Sequence, residues 1–327
     1  MNGKPQLCFR PDGTFRILHL TDLQEGIHPK KDTLRLIYAL LDASDPDLVI
    51  LTGDQLKGYS PWFRILGEAS VRKTINTLVS PMENLGIPYA VTFGNHDIQC
   101  GLSNEDQAAL YRQYPHGICP DDAPCAGTFL LPVQSSDGRE KLRLYLLDSG
   151  NLTDHGSYAP PSDTVLDWLR STLFDQQGKA SVIPSMVFQH IPLPEYRKCR
   201  DVVIHEPICS PDQDTGEFEL LRLNGNVMAV FCGHDHKNDF LGKIDGIGLG
   251  YTPSSGFACY GPGVNRGGRV ITLHESQPMT YETEVLRYCN LVAPHTGNRL
   301  KEYLDTHVPT CWPGSKKENT TEDLSHE

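Results

Sequence analysis

No stretch of this sequence approaches the roughly 18 consecutive apolar residues that a membrane-spanning helix needs. Its cleanest apolar runs, such as residues 47–51, have the length of a β-strand. Cations are scarce too: 29 Lys and Arg stand against 41 Asp and Glu, a formal net charge of −12. Such a chain offers no basic stripe to neutralise a phosphate backbone, which excludes a nucleic-acid binder. The first residues, Met1-Asn2-Gly3-Lys4-Pro5-Gln6, have no apolar segment of the kind a secretory signal carries. A cytoplasmic protein is therefore expected, or a secreted one if a signal has been removed. Ten cysteines in 327 residues are too few for a disulfide scaffold. Cys119 with Cys125 and Cys199 with Cys209 are close enough in sequence for local loops, yet most thiols are expected to be reduced. Neither a Gly-x-Ser-x-Gly elbow nor a Walker loop occurs, so serine hydrolysis and P-loop phosphoryl transfer find no support.

What is present is a patterned chain. Apolar residues make up 39% and charged residues 21%, enough for a core and too much for a disordered chain. Short runs of Val, Ile, Leu and Phe alternate with amphipathic stretches, which predicts strands alternating with helices. Strands are expected at residues 15–20, 47–51, 89–93, 141–147, 185–189 and 226–231. Helices are expected at 31–42, with Leu34, Ile37, Tyr38 and Leu41 on one face, at 71–85, with Val71, Ile75, Leu78 and Met82, and at 104–114 and 164–177. Ser162 or Asp163 would cap the last of these. After about residue 240 only strands are expected (244–249, 268–273 and 281–286), which suggests antiparallel strands completing a mixed α/β or α+β architecture. Residues 192–219 form a Pro- and Cys-containing insert, expected to run over the surface near a site. The reading gives one domain over residues 1–305 and a polar, disordered tail over 306–327.

The informative feature lies just past the strands. Thr21-Asp22, Thr52-Gly53-Asp54, Gly94-Asn95-His96-Asp97, His190 and Gly233-His234-Asp235-His236 each follow an apolar run. In open α/β sheets the carboxyl edge is where ligands bind. Each turn alone could be ordinary turn chemistry, and His190 alone a satisfied histidine. In an extended backbone, however, His234 and His236 point the same way. Two Asp, one Asn and three His converging on one sheet edge would supply the mixed oxygen and nitrogen set that holds a pair of divalent cations.

In this order the segments resemble the calcineurin-like metallophosphoesterases, whose motifs run Asp-x-His, Gly-Asp, Gly-Asn-His-Asp/Glu, an isolated His and Gly-His-x-His. The match covers about residues 15–240. Residues 188–196, 206–210 and 233–240 further resemble the atypical, inactive-type purple acid phosphatases and their fungal phosphatase relatives. The resemblance implies a two-sheet β-sandwich flanked by helices and a metal-dependent phosphoesterase. Asp54 would bridge two metals, Asp22 and His236 would complete one site, and Asn95, His190 and His234 the other. Attack would come in line from a metal-bridging hydroxide. His96 would bind no metal but would protonate or stabilise the departing oxygen, with Asp97 orienting its ring, and Asn95 and His96 would meet the substrate phosphate.

Gln24 departs from the pattern, standing where the family has a histidine ligand. As a neutral amide donor it would favour Mn²⁺ or Mg²⁺ over Zn²⁺ or Fe, or hold its metal loosely. Lys57 stands where true purple acid phosphatases have the tyrosine that colours them, so no purple colour is expected. His28 is read as a surface histidine, although it could replace the missing ligand. Arg266, in the Gly-rich run 261–269 with Arg269, is a candidate for binding substrate phosphate, the alternative being a tight turn between strands. Cys232 is read as a small buried residue rather than a zinc ligand. The acidic surface favours a small-molecule or protein-borne phosphate ester over a long polyanion, with monoesters foremost. A phosphodiesterase or nucleotidase, or a metal-binding scaffold without activity, is the alternative.

Overall fold

Alternate residues along the first long strand face opposite ways, and that two-residue period organises the whole molecule. The computed structural model describes residues 5–153 and 155–292, so the expected tail over 306–327 lies outside the described residues. The strands are β1 (Leu7–Cys8), β2 (Thr14–Leu20), β3 (Leu48–Thr52), β4 (Tyr89–Thr92), β5 (Gly117–Ile118), β6 (Phe129–Gln134), β7 (Glu140–Leu146), β8 (Ser185–Phe188), β9 (Val227–Cys232), β10 (Leu241–Ile244), β11 (Ile247–Tyr251), β12 (Gly267–His274) and β13 (Tyr281–Arg287). The helices are α1 (Lys31–Ser44), α2 (Pro61–Leu66), α3 (Glu68–Leu85), α4 (Asn104–Tyr111), α5 (Asp163–Leu173), α6 (Glu217–Asn224) and α7 (Tyr288–Leu291).

One sheet runs in the order β1-β6-β7-β8-β9-β11-β10 and the other in the order β13-β12-β2-β3-β4-β5. Within them β2, β3 and β4 are mutually parallel, as are β7, β8, β9 and β11. Phe15, Ile17, Leu48 and Ile50 enter the space between the sheets and meet Leu144, Leu146, Met186, Phe188 and Phe231. Their neighbours Leu18, Leu20, Val49 and Leu51 face outward onto α1 and α3. On the other side Tyr145, Val187 and Val230 face α5 and α6 through Val165, Leu169 and Leu221. Each such side chain contributes about 1.5–3 kcal/mol on burial. The result is the expected two-sheet sandwich with helices on both outer faces. His19 is the polar exception between the sheets. Its ring nitrogens lie 2.7 Å from Thr52 Oγ1 and 2.6 Å from Thr252 Oγ1, and burial, followed by the charge of Arg269, lowers its pKa to about 3.

Three local readings are corrected. Residues 244–249 are not one strand: Asp245 and Gly246 take φ of 48° and 90° and close a two-residue hairpin between β10 and β11, as two successive positive-φ residues do. The buried face of α1 is Thr33, Leu36, Ile37, Leu40 and Leu41, so Tyr38 points to solvent at 43% exposure. Strand β6 and the short helices α2, α6 and α7 were not anticipated, since Pro132 and the short length of each mask their patterns, and α7 follows residue 240, where only strands were expected. Ser162 does cap α5, accepting from Val165 N. Among the described residues no helix is long and apolar enough to cross a membrane.

The expected convergence also needs correcting in one respect. The turns after β2, β3 and β4 belong to one sheet and those after β8 and β9 to the other, so the candidate residues meet across the gap between two carboxyl edges. Backbone bonds stitch that seam, including Ser255 N to Thr21 O (2.9 Å) and Gly256 N to Asp22 O (3.2 Å).

Candidate metal centre

Three of the five strands, β2, β3 and β9, end in a turn that standard backbone geometry resists. Asp22, Gln24, Asp54 and His234 hold φ of 51°, 38°, 51° and 73°, a left-handed region that costs a non-glycine residue about 1–2 kcal/mol. Such strain persists only where the surroundings over-determine it. Here Asp22 N donates to Gly53 O (3.1 Å), Gln24 N to Asp54 O (2.7 Å) and His234 N to Asp22 Oδ2 (2.9 Å). The motif glycines are demanded by close approach: a Cβ on Gly94 would stand 2.2 Å from Asp54 Oδ1, and one on Gly233 2.5 Å from Asp22 Oδ2.

The turns bring together Asp22, Asp54, Asn95, His190, His234 and His236, all buried. Donor atoms of Asp22, Asp54 and His190 lie within 4.8 Å of one another. Asp54 Oδ2 is 3.4 Å from His190 Nε2, and Asp22 Oδ1 is 3.3 Å from His236 Nε2. The outer nitrogens are committed to carbonyls, His190 Nδ1 to Thr52 O (2.9 Å) and His236 Nδ1 to Tyr260 O (2.7 Å). A carbonyl only accepts, so each Nδ1 must donate, and in its neutral form each ring turns a bare Nε2 lone pair toward a carboxylate. His234 Nδ1 also faces His190 Nε2 at 3.2 Å. Asp22 Oδ1, Asn95 Oδ1 and His234 Nε2 are buried without a hydrogen-bond partner. Acceptors facing acceptors at these distances repel unless a proton or a cation lies between them. The donor set therefore fits divalent cations.

The charges follow the same logic. Burial alone would raise Asp54, but His190 and His96 and the bonds they donate hold it far below the ordinary carboxylate range. Burial pulls His190 down, yet Asp54 and Asp22 outweigh it and raise its pKa to about 9. His234 falls to about 3, through burial first and the neighbouring His190 second.

Gln24 is buried at the centre, with its amide nitrogen toward Asp54 and His236 and its oxygen toward Tyr59. Its Nε2 donates to Asp54 Oδ2 at 2.8 Å and lies 3.4 Å from His236 Nε2, while its Oε1 accepts from Tyr59 OH at 3.5 Å. Asp97 does not orient the ring of His96. Its Oδ2 accepts from Asp54 N (2.7 Å) and Gly94 N (2.9 Å), and its Oδ1 from Leu56 N (3.0 Å). The ring is held by Gln99 instead, whose Oε1 lies 2.9 Å from His96 Nδ1. Arg266 is not placed to meet a substrate. Only 1% exposed, it donates to Ser254 Oγ (2.7 Å), Cys259 O (2.7 Å) and Gly256 O. Arg269 is likewise buried, donating to Tyr251 O at 2.7 Å. Arg266 thus braces the 254–259 segment that leads to the Tyr260 carbonyl on His236, and Arg269 ties the end of β11 to Asp239 O.

Among the remaining candidates, His28 is exposed at the surface and Cys232 is buried. Lys57 donates to Ala258 O at 2.8 Å. Sequence reasoning missed Gln99, Thr52 and Tyr260. Only Gln99, three residues after His96, left a signal in spacing. The 192–219 insert is laced to the His234–His236 turn: Asp235 accepts from Cys209 N (3.1 Å), Asn238 Oδ1 from His205 N (2.9 Å), and Glu206 Oε1 from Lys237 N (2.6 Å).

Comparison with known proteins agrees with this architecture. Residues 15–238 match the family described as calcineurin-like phosphoesterase. Among curated proteins, the chain is 28% identical over 305 residues to a probable inactive purple acid phosphatase 14 of Arabidopsis thaliana, covering 79% of this chain and 75% of that one. It is 27% identical over 307 residues to the phosphatase DCR2 of Saccharomyces cerevisiae, covering 80% of this chain and 50% of that one. The crystal structure of a dimetal phosphatase from Danio rerio shares the fold, with a TM-score of 0.55 at 14% identity over 84% of this chain and 99% of the other.

Proposed function

Because the chain belongs to the calcineurin-like phosphoesterase family, we propose that it hydrolyses phosphate esters, phosphomonoesters foremost, with a pair of divalent cations. The observation that carries this reading is that Asp22 Oδ1 faces His236 Nε2 and Asp54 Oδ2 faces His190 Nε2, in buried pairs whose imidazoles already donate from Nδ1 to a carbonyl. Asp54 would be shared, with Asp22 and His236 on one side and Asn95, His190 and His234 on the other. Cations bound there supply Lewis acidity toward phosphate oxygens and toward water. With Gln24 standing where a further imidazole would be, this mixed oxygen and nitrogen set favours Mn²⁺ or Mg²⁺, with Fe or Zn²⁺ as alternatives. Gln24, donating to Asp54 Oδ2, would position the shared carboxylate rather than add a donor.

His96 remains 28% exposed while the other candidates are closed off. With Nδ1 held by Gln99, its Nε2 is the atom from which a proton would pass to the departing oxygen. Asp97 would keep the Asp54 and Asn95 turns in register. The described cysteines are free thiols, which favours a reducing compartment such as the cytoplasm. Substrates would be small-molecule or protein-borne phosphate esters.

A second reading, a metal-binding scaffold without turnover, is favoured by the Gln24 amide on Asp54 Oδ2 and by a relative named as probably inactive. One experiment separates the two. The metal-stripped protein is given Mn²⁺, Mg²⁺ or Zn²⁺ in turn, and p-nitrophenol release is followed from the mono- and bis-nitrophenyl phosphates. Metal-dependent release from the monoester is expected; folded protein that releases nothing with any metal supports the scaffold.

A further inference from the structure

Three tyrosines from separate segments set their rings against three of the histidines. Tyr59 meets His96 with centroids 4.8 Å apart and planes at 66°, Tyr158 meets His234 at 4.4 Å and 87°, and Tyr260 stacks on His236 at 4.1 Å and 15°. The pairs are not equivalent. His234 and His236 are buried, so Tyr158 and Tyr260 lie over closed rings. His96 keeps 28% of its side chain exposed and Tyr59 is 36% exposed, so this pair makes an open corner at the mouth of the centre. A flat ring entering that corner can lie along one aromatic plane and meet the edge of the other, the two arrangements that aromatic pairs prefer.

The two segments that carry the corner also expose apolar side chains. Trp62, three residues past Tyr59, is 54% exposed, and Ile98, two residues past His96, is 44% exposed. Arg64 Nε ties their two segments together by donating to Gln99 O at 3.3 Å. One cation stands beside the corner: Lys57 Nζ lies 5.4 Å from the centroid of the Tyr59 ring while donating to Ala258 O, whereas Arg266 is turned into the buried 254–259 backbone. An aromatic leaving group gains a stacking surface in this corner from the Tyr59 and His96 rings.

We propose that Tyr59 determines specificity on the leaving-group side, and that the favoured substrates are small phosphomonoesters of phenols. The inference rests on His96 as the proton donor, because that role puts the departing oxygen beside the Tyr59 ring. In the reaction the oxygen of water bonds to phosphorus and the bond from phosphorus to the aryl oxygen breaks. The phenol leaves with the proton from His96, which the proton of water replaces, so that one ester and one water give one phenol and one inorganic phosphate.

Calorimetry of the manganese-loaded protein with phenylphosphonate and methylphosphonate, neither of which is hydrolysed, isolates the contribution of the ring. The wild type is expected to bind the phenyl compound about tenfold more tightly. Tyr59→Phe should keep that ratio and Tyr59→Ala should bring it close to one. Equal affinities in the wild type, or a ratio that survives in Tyr59→Ala, overturns the proposal. Turnover of phenyl phosphate and methyl phosphate by the same proteins is read separately. If neither ester is cleaved while the phosphonate ratio behaves as expected, the phosphatase reading falls and the aromatic subsite stands.

Discussion

Asp97 holds Asp54 by its backbone: the buried Asp97 carboxylate accepts the N–H of Asp54 at 2.7 Å, and those of Gly94 and Leu56 besides. One side chain thus joins the turn after β3 to the turn after β4. Asp97→Ala leaves three buried N–H groups without an acceptor, at about 1–3 kcal/mol each. A loss of several kcal/mol in urea unfolding is expected, together with weaker metal binding. Unchanged stability would mean that the clamp is dispensable.

His96→Asn should behave in the opposite way. The residue is partly exposed and its ring contacts Gln99 and Tyr59, so stability should move by less than about 0.5 kcal/mol. Loss of the proton donor should lower kcat for a nitrophenyl monoester by about 10²–10⁴. Calorimetric metal affinity should stay within a few-fold of wild type.

Gln24→His tests the seat of the missing ligand. An imidazole here replaces an amide that now donates to Asp54 Oδ2. Zn²⁺ affinity of the stripped protein, measured by calorimetry, should rise about tenfold or more. No change in affinity for any metal would place Gln24 outside the coordination sphere altogether.

The pH dependence of stability should carry the mark of His19. Its pKa is about 3 in the fold, through burial first and then Arg269, and about 6.5 when unfolded. A depressed base means that the unfolded chain binds the extra proton between those values. Its contribution is complete above about pH 6.5 and is lost as pH falls toward 3, with a slope of up to about 1.4 kcal/mol per pH unit. His234 acts in the same direction. Urea midpoints from pH 7 to pH 4 should fall less steeply in His19→Gln than in wild type.

Arg266→Lys distinguishes a brace from a substrate contact. Lysine cannot reproduce the forked donation to Ser254, Gly256 and Cys259. Stability should fall by about 2 kcal/mol or more. A rise in KM with stability unchanged would return the residue to the substrate.

The chemistry of the centre was legible because metal-binding turns need specific residue types at specific places. Asp22, Asp54, Asn95, His190, His234 and His236 all stand directly after apolar runs, and the glycines beside them are forced by contacts under 3 Å. Orientation was not legible. Asp97 follows His96 in sequence, yet it points to backbone groups of the neighbouring turn, and Gln99 takes the role expected of it. Arg266 lies in a glycine-rich run of the kind that meets phosphates, but burial turns its guanidinium inward. Both outcomes depend on long-range packing, which no local spacing encodes. The same holds for Asp245 and Gly246, where a two-residue turn hides inside what reads as one continuous strand.

The pairing of β2 with β12, in which Phe15 lies opposite Leu273, has a consequence for how the chain reaches this state. β2 lies between β3 and β12, so its second edge is filled only by a strand near the far end of the described chain. Contacts so distant in sequence must close a very long loop before they return any stabilisation, which slows folding. As the chain leaves the ribosome, the β2–β4 half emerges first and waits with one strand edge open. That interval is when the protein is most prone to pair with a neighbour, and expression at lower temperature or slower synthesis should raise the soluble yield.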